Sequence, residues 1–378
     1  MLESFCVGKK LIGIRSGSDP AIAEQDVKRL IQENRAREVL EGQVCIGRLV
    51  QRIGRHGKYL WFEFDEPPHV FVHFRMTGSF VVRGHQDNYV YETLRRRGSE
   101  AGVEAAGDAA AWPPKHTRLI FVFSNIFGKA PVETGSGVSA LEVALVDPRR
   151  FATIHLCDSA SPLEDIRNRV PGFDPLYAMP SLKNFKQRLL SFAGARIKTV
   201  LLDQSFVAGL GNWMADEILY YARIHPESRV HDLTSHDIAS LYNGVESVVQ
   251  TSCEVNADPT GFPRKWLFHI RWRGCQKRER VQDGTEVALT ADGKRAKFTQ
   301  LGGRTTVFVP TLQKKRSTPS TRRKGGNLRP GTNSLRAKQT LASPRASSLR
   351  LSMRESGSGD DPFQKKCTGP RPESRTDC

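Results

Sequence analysis

The sequence predicts a multidomain chain of mixed α and β class. A strand-rich first part is followed by a helical middle, a short return to strands and an unpacked basic tail. Three observations carry this. Up to residue 156 the apolar residues fall in short β-branched or aromatic runs bounded by turn formers. From Ser181 to Glu254 their spacing is helical, broken once at a run holding two glycines. Beyond Thr311 the only aromatic is Phe363, and Ser, Arg, Pro and Gly dominate. Such a composition cannot bury enough apolar surface to offset the entropy of folding.

Taken in order, strands are predicted at Val44–Val50, Tyr59–Asp65, Val70–Phe74, Ser79–Val82, Leu119–Phe123 and Leu141–Val146. A helix is predicted over Ala21–Asn34, with Ile22, Val27, Leu30 and Ile31 on one face. Ser99–Ala111 is small-residue and low in complexity, and Gly128–Ser139 is rich in Gly, Pro and Ser; both read as surface loops. Asp158–Pro180 carries four prolines and reads as a linker. Ser181 caps a helix through Phe192, and Thr234–Glu254 gives another. Arg264–Pro310 turns back to strand, ending in RAKFTQLGGRTTVFVP.

The chain has 378 residues, 38% hydrophobic, with a net charge of +17. A balance this basic implies a polyanionic partner, most often nucleic acid. Its distribution matters more than its size. Residues 311–378 hold 16 Lys and Arg against 5 Asp and Glu, so this tail supplies +11 and residues 1–310 only +6. The seven cysteines are scattered without a CxxC pair, which points to free thiols in a reducing compartment. No apolar run reaches 18 residues, so no membrane-spanning helix is expected, and the first residues, MLESFCVGKKLIGIR, do not form a signal peptide.

The most informative stretch is LLDQSFVAGLGNWMADEILYYARIHP, residues 201–226. An amphipathic segment breaks at Val207–Gly211, and a second helix opens on Asn212. Gly209 and Gly211 let the chain pass through two tight turns. The free amides of the new helix make a partly positive end that suits phosphate. This stretch resembles the helix-two-turns-helix DNA clamp of the formamidopyrimidine-DNA glycosylase (Fpg/Nei) family.

The resemblance extends over roughly residues 5–310, apart from an insertion at 85–117. It implies an N-terminal β-sandwich with flanking helices (1–156, its first helix missing), a linker (157–180), a helix-two-turns-helix domain (181–258), a zincless β-hairpin finger (259–310) and a disordered basic tail (311–378). In RHGKYLWFEF, Lys58 alone reads as a solvated strand-edge lysine. In the family a lysine in this setting is catalytic, reaching the target nucleotide's phosphate. Met76 in FRMTG reads as a core methionine, and Arg149 and Phe151 in DPRRF as parts of a connecting turn. The resemblance makes these three the void fillers behind an everted base, whose extrusion costs a few kcal/mol of stacking.

Arg304 in LGGRTT stands at the tip of a tight hairpin, where exposed arginines are common. In the family a finger arginine grips the backbone phosphates. Lys198 and Asn212 match the family's other DNA-binding positions. Bacterial members pin the finger with four cysteines around zinc. Here the region holds only Cys275, so no metal or other cofactor is expected and the match is to plant and fungal zincless fingers. Glu217 reads as a helix-surface or capping charge or as a site residue, while Trp266 and His269 read as core or hairpin residues.

Family members begin with a proline nucleophile followed by a glutamate. This chain begins MLESFCVGKKL, and Val7–Lys10 fits the segment after the family's first helix. An incomplete gene product is the favoured explanation. The alternative is a non-catalytic binder of damaged or abasic DNA. The expected activity is base excision repair: a glycosylase and abasic-site lyase acting on oxidised or ring-opened purines. The expected partner is double-stranded DNA with damaged bases or abasic sites, bound by a monomer. Lys314–Arg316 and Arg322–Lys324, five residues apart, look like a bipartite nuclear import signal, or a generic basic tail.

Overall fold

A computed structural model describes residues 2–16, 45–85, 112–124, 140–272, 278–282 and 284–315. The chain divides into two compact units, Met1–Ser320 and Thr321–Cys378, and every described residue belongs to the first. The expected helix at Ala21–Asn34, the loops at Ser99–Ala111 and Gly128–Ser139, and the import signal apart from Lys314 and Lys315 lie outside the described residues.

The chain opens on a five-residue helix, α1 (Leu2–Cys6), where the first helix was expected to be missing. Cys6 is buried, and Leu2 and Phe5 pack on the same core. Two four-stranded antiparallel sheets follow. One has the order β1 (Leu11–Ser16), β6 (Thr117–Ser124), β7 (Ala140–Val146), β5 (Ser79–Val82). The other has the order β2 (Val50–His56), β3 (Tyr59–Phe64), β4 (His69–His73), β8 (Thr153–Cys157). Their inner faces interdigitate. Phe62, Val70, Val72 and Ile154 from one meet Phe80, Leu119, Phe121, Phe123 and Leu145 from the other. Phe62 stacks on Phe121 with ring centroids 5.5 Å apart. Alternating burial of this kind is what a β-sandwich requires, so the expected architecture is present.

Five of the six expected strands are found within one or two residues of their expected bounds. The sixth is corrected. Residues 45–48 form a turn, with Cys45 and Gly47 at positive φ, and the strand begins at Val50 and runs on to His56. Gly54 and three charged or imidazole side chains, Arg52, Arg55 and His56, hide β2 from a propensity reading. Gly54 is needed there because the Trp61 ring lies across it: a Cβ would sit 2.0 Å from that ring. β1 and β8 also went unseen; each is given strand form by its neighbour across the ladder.

The proline-rich stretch expected as a linker holds a helix, α2 (Pro162–Arg169). Pro162 occupies its first turn, where a missing N–H costs nothing. Ile166 of α2 packs on Trp61, Phe71 and Cys157, covering the outer face of the second sheet.

The helical part comprises α3 (Leu182–Leu190), α4 (Ile197–Leu202), α5 (Asn212–Tyr221), α6 (Ser235–Glu254) and the short α7 (Phe268–Arg271). Ser181 caps α3 as expected, accepting from the Asn184 amide. Thr234 and Asp237 form a reciprocal capping box on α6. Phe185, Leu189, Phe206, Ile218, Leu241 and Val245 centre one core. The last sheet runs β12 (Arg304–Phe308), β11 (Arg295–Leu301), β10 (Glu286–Leu289), β9 (Glu279–Arg280) in spatial order, all antiparallel. It packs on the helices through Tyr220, Leu267 and Ile270 against Ala288, Ala296, Phe298 and Val307.

Candidate nucleic-acid interface

The β2–β3 hairpin ends at Gly57–Lys58, and Gly57 is where the sandwich touches the double turn. Its φ is +58°, and a Cβ on it would lie 3.0 Å from both the Ala208 Cβ and the Gly209 nitrogen. Only glycine permits that approach. The buried Asp174 carboxylate locks the turn, accepting from the Gly57 amide at 2.7 Å and from Arg55 at 2.8 Å. Lys58 is thereby held with its Nζ donating to the Leu210 carbonyl at 2.7 Å. Lys58 keeps exposed surface. Packing around its ammonium still removes water, and this burial, with the nearby charge of Arg304, lowers its pKa below the ordinary lysine value.

Gln204 shapes the loop that Lys58 meets. Its Nε2 donates to the Leu202 and Leu210 carbonyls at 3.1 and 3.2 Å, and its Oε1 accepts from the Gly209 amide at 3.0 Å. The loop then enters α5 at Asn212. Asn212 Nδ2 donates to the Thr305 carbonyl at 2.9 Å, reaching across to β12. That strand follows a two-residue turn, Gly302–Gly303, with φ of +57° and +71° and Leu301 paired to Arg304. The glycines supply the positive φ that a tight hairpin demands, and Arg304 stands exposed at its rim.

Lys198 sits otherwise than the sequence suggests. It has no exposed surface. Its Nζ is 2.7 Å from Asp216 and donates to Thr306 Oγ1 at 2.7 Å and to the Thr305 carbonyl at 3.1 Å. The expected direct phosphate contact gives way to an internal anchor between α4, α5 and β12. Burial lowers the Lys198 pKa, with Asp216 acting in the opposite sense.

Two loops of the sandwich meet through one carboxylate. Asp147, 1% exposed, accepts from Thr77 Oγ1 at 2.5 Å and from the amides of Arg149, Phe151 and Ala152 at 3.2, 2.6 and 2.7 Å. The turn holding Met76 and the turn holding Arg149 and Phe151 are thus tied together. Met76 is 68% exposed and Phe151 50%, unusual for large apolar side chains. Arg149 lies over the Phe151 ring at 4.8 Å. Met76 is no core methionine.

His73 also faces this region. Burial, Arg75 and Lys58 push its pKa down to about 4, so the ring is neutral at pH 7. Glu217 proves to be neither a surface nor a capping charge. It is buried; Oε1 accepts from the Phe268 amide at 2.6 Å and Oε2 has no hydrogen-bond partner among the described residues. Burial raises its pKa well above the usual carboxylate value. Among the described residues no group of three or more His, Cys, Asp or Glu could hold a metal.

Comparison with known proteins bears on this geometry. The family model for the formamidopyrimidine-DNA glycosylase N-terminal domain matches residues 2–154, and that for the formamidopyrimidine-DNA glycosylase H2TH domain matches residues 172–263. A formamidopyrimidine-DNA glycosylase of Arabidopsis thaliana is 32% identical over 316 residues, covering 83% of this chain and 68% of the relative. The chain belongs to the formamidopyrimidine-DNA glycosylase family. A bacterial relative of the same name, from Herpetosiphon aurantiacus, is 30% identical over 253 residues, covering 67% of this chain and 74% of its own length. The fold is that of the Lactococcus lactis formamidopyrimidine-DNA glycosylase solved non-covalently bound to DNA containing an AP site (TM-score 0.56, 22% identity, 83% of this chain and 95% of that one). A complex of the Lactococcus lactis enzyme with FAPY-dG containing DNA gives a TM-score of 0.57 at 23% identity, with 83% and 96% covered.

Within this glycosylase fold, Lys58, Asn212 and Arg304 come together around the double turn, and Met76, Arg149 and Phe151 around Asp147. Asp147, Asp174, Gln204, Asp216 and Arg271 organise them and were not singled out from sequence. Their only local signal is a carboxylate or amide beside a glycine turn or inside an apolar run.

Proposed function

We propose that this protein is a DNA glycosylase of base excision repair, with abasic-site lyase activity, acting on oxidised or ring-opened purines in double-stranded DNA. The observation that carries the reading is the meeting of Lys58, Asn212 and the Arg304 hairpin around one double turn, in a chain of the glycosylase family. Three donors on separate elements, brought to one place, suit consecutive phosphates of a bent strand.

The roles follow from the chemistry. Lys58 neutralises phosphate charge beside the reacting sugar and stabilises charge that develops in the transition state. Asn212 and Arg304 grip flanking phosphates. Met76 and Phe151 are exposed apolar groups pre-set to fill the hole left by an extruded base, which offsets part of the lost stacking. Arg149 is the member of this trio that can donate to the orphaned partner base. The finger is read as zincless, its place fixed by apolar packing and by the buried charges of Lys198, Asp216 and Arg271. The basic clusters around Lys314 and Arg322 are read as nuclear import signals, and the protein as a monomer.

The decisive experiment is borohydride reduction of the full chain mixed with duplex DNA containing an abasic site. Lyase chemistry passes through an imine between a protein amine and C1′, so reduction traps a covalent adduct. An adduct supports the enzyme reading. Tight binding without one supports a non-catalytic binder of the same DNA instead.

A further inference from the structure

Resting on that reading of the interface, we propose that Arg271 is the positioning residue of the finger: it fixes Arg304 for its phosphate by bridging Asp216 to the Thr305 carbonyl. The need for such a residue is visible at the hairpin tip. A Cβ built on Gly303 would meet nothing within 4 Å, and one on Gly302 only the Thr199 methyl at 3.9 Å. Packing therefore does not hold the turn. The first internal anchor lies one residue past Arg304, at the Thr305 carbonyl, which accepts from Lys198 at 3.1 Å, Asn212 at 2.9 Å and Arg271 at 2.9 Å. Fixing that carbonyl fixes the peptide plane after Thr305, and with it the direction in which Arg304 leaves the strand.

Arg271 differs from the other two donors. Its guanidinium is buried, with NH1 on Asp216 Oδ2 and NH2 on Thr305. Asp216 Oδ2 also accepts from the Val307 amide at 3.0 Å, so one carboxylate and one guanidinium grip β12 at two successive points. A planar fork can span two acceptors at set positions, whereas an ammonium is a single point charge on a flexible stem. The buried group also carries two cations against the Asp216 carboxylate; the Thr305 carbonyl and Thr306 hydroxyl take up the excess positive charge. Removing one side of such a cluster is costly, so the informative substitution keeps the charge and removes the fork.

Arg271→Lys does this. Binding of the full chain to a duplex carrying a tetrahydrofuran abasic analogue is measured by anisotropy across salt concentrations, for wild type, Arg271→Lys, Arg304→Ala and the double variant. Arg271→Lys is expected to bind about tenfold more weakly, with a salt slope lower by about one, while the double variant binds within about twofold of Arg304→Ala alone. A residue that only stabilises the fold would give losses that add. Additive losses, or unchanged binding by Arg271→Lys, overturn the inference. If Arg271→Lys loses its folded circular-dichroism signal, Asp216→Asn loosens the same fork without removing it and must show the same coupling to Arg304. A wild-type protein that fails to bind the abasic duplex removes the functional reading itself, and this inference with it.

Discussion

At the scale of single residues, the buried carboxylates are the most consequential and were the least legible. Asp147 stood within a quoted motif, yet nothing in DPRRF says that the carboxylate points inward and takes four donors. Glu217 is the sharper case. Its raised pKa means that the folded state keeps a proton which the unfolded chain has released above its ordinary value of 4.5. The contribution is therefore full below that value, and stability falls as pH rises towards the raised pKa. Glu217→Gln, which cannot ionise, is expected to gain on wild type by about 1.4 kcal/mol per pH unit within that window. Urea midpoints from pH 4 to 9 measure it, and parallel curves for the two proteins would refute the assignment. The exposed site residues were legible for the opposite reason. Lys58, Met76, Phe151 and Arg304 sit beside glycine or charged turns, and such local signals need no knowledge of tertiary partners. Lys198 looked the same from sequence, and only the placement of Asp216 and Thr306 turns it inward.

Among the elements, long periodic segments were read correctly and short paired ones were not. α6 carries its own capping box and an apolar stripe, so its bounds lie in the sequence. β2 carries Gly54 and three charged or imidazole side chains, and exists because β3 lies beside it with Trp61 crossing that glycine. The double turn was legible as a break but not as a contact surface, since its partner Gly57 is 152 residues from Gly209. Gly57→Ala tests the contact. It adds a side chain at positive φ, and its Cβ would press on Ala208 and Gly209. We expect a loss of about 2 kcal/mol in urea unfolding and weaker binding to abasic-analogue DNA. A loss under about 0.5 kcal/mol would show that the two surfaces can part without cost.

For the whole molecule, net charge misled about where the polyanion binds. Most of the surplus lies beyond residue 310, yet the proposed grip on DNA uses only a few donors placed by folding. The two contributions separate by salt dependence, because each phosphate contact adds about 0.9 to the slope of log K against log salt. Arg304→Ala should lower that slope by about one, while the larger non-specific share contributed by the tail persists. An unchanged slope would take Arg304 off the DNA. The sandwich and the helical region meet at Gly57 and Gly209 through backbone alone, which makes that point a fulcrum. Any rocking of one against the other sweeps Met76 and Phe151 through long arcs, while Lys58, next to the pivot, hardly travels. The lysine's phosphate then serves as a fixed reference, and the wedge residues can sample one base pair after another without the protein losing its place on the strand.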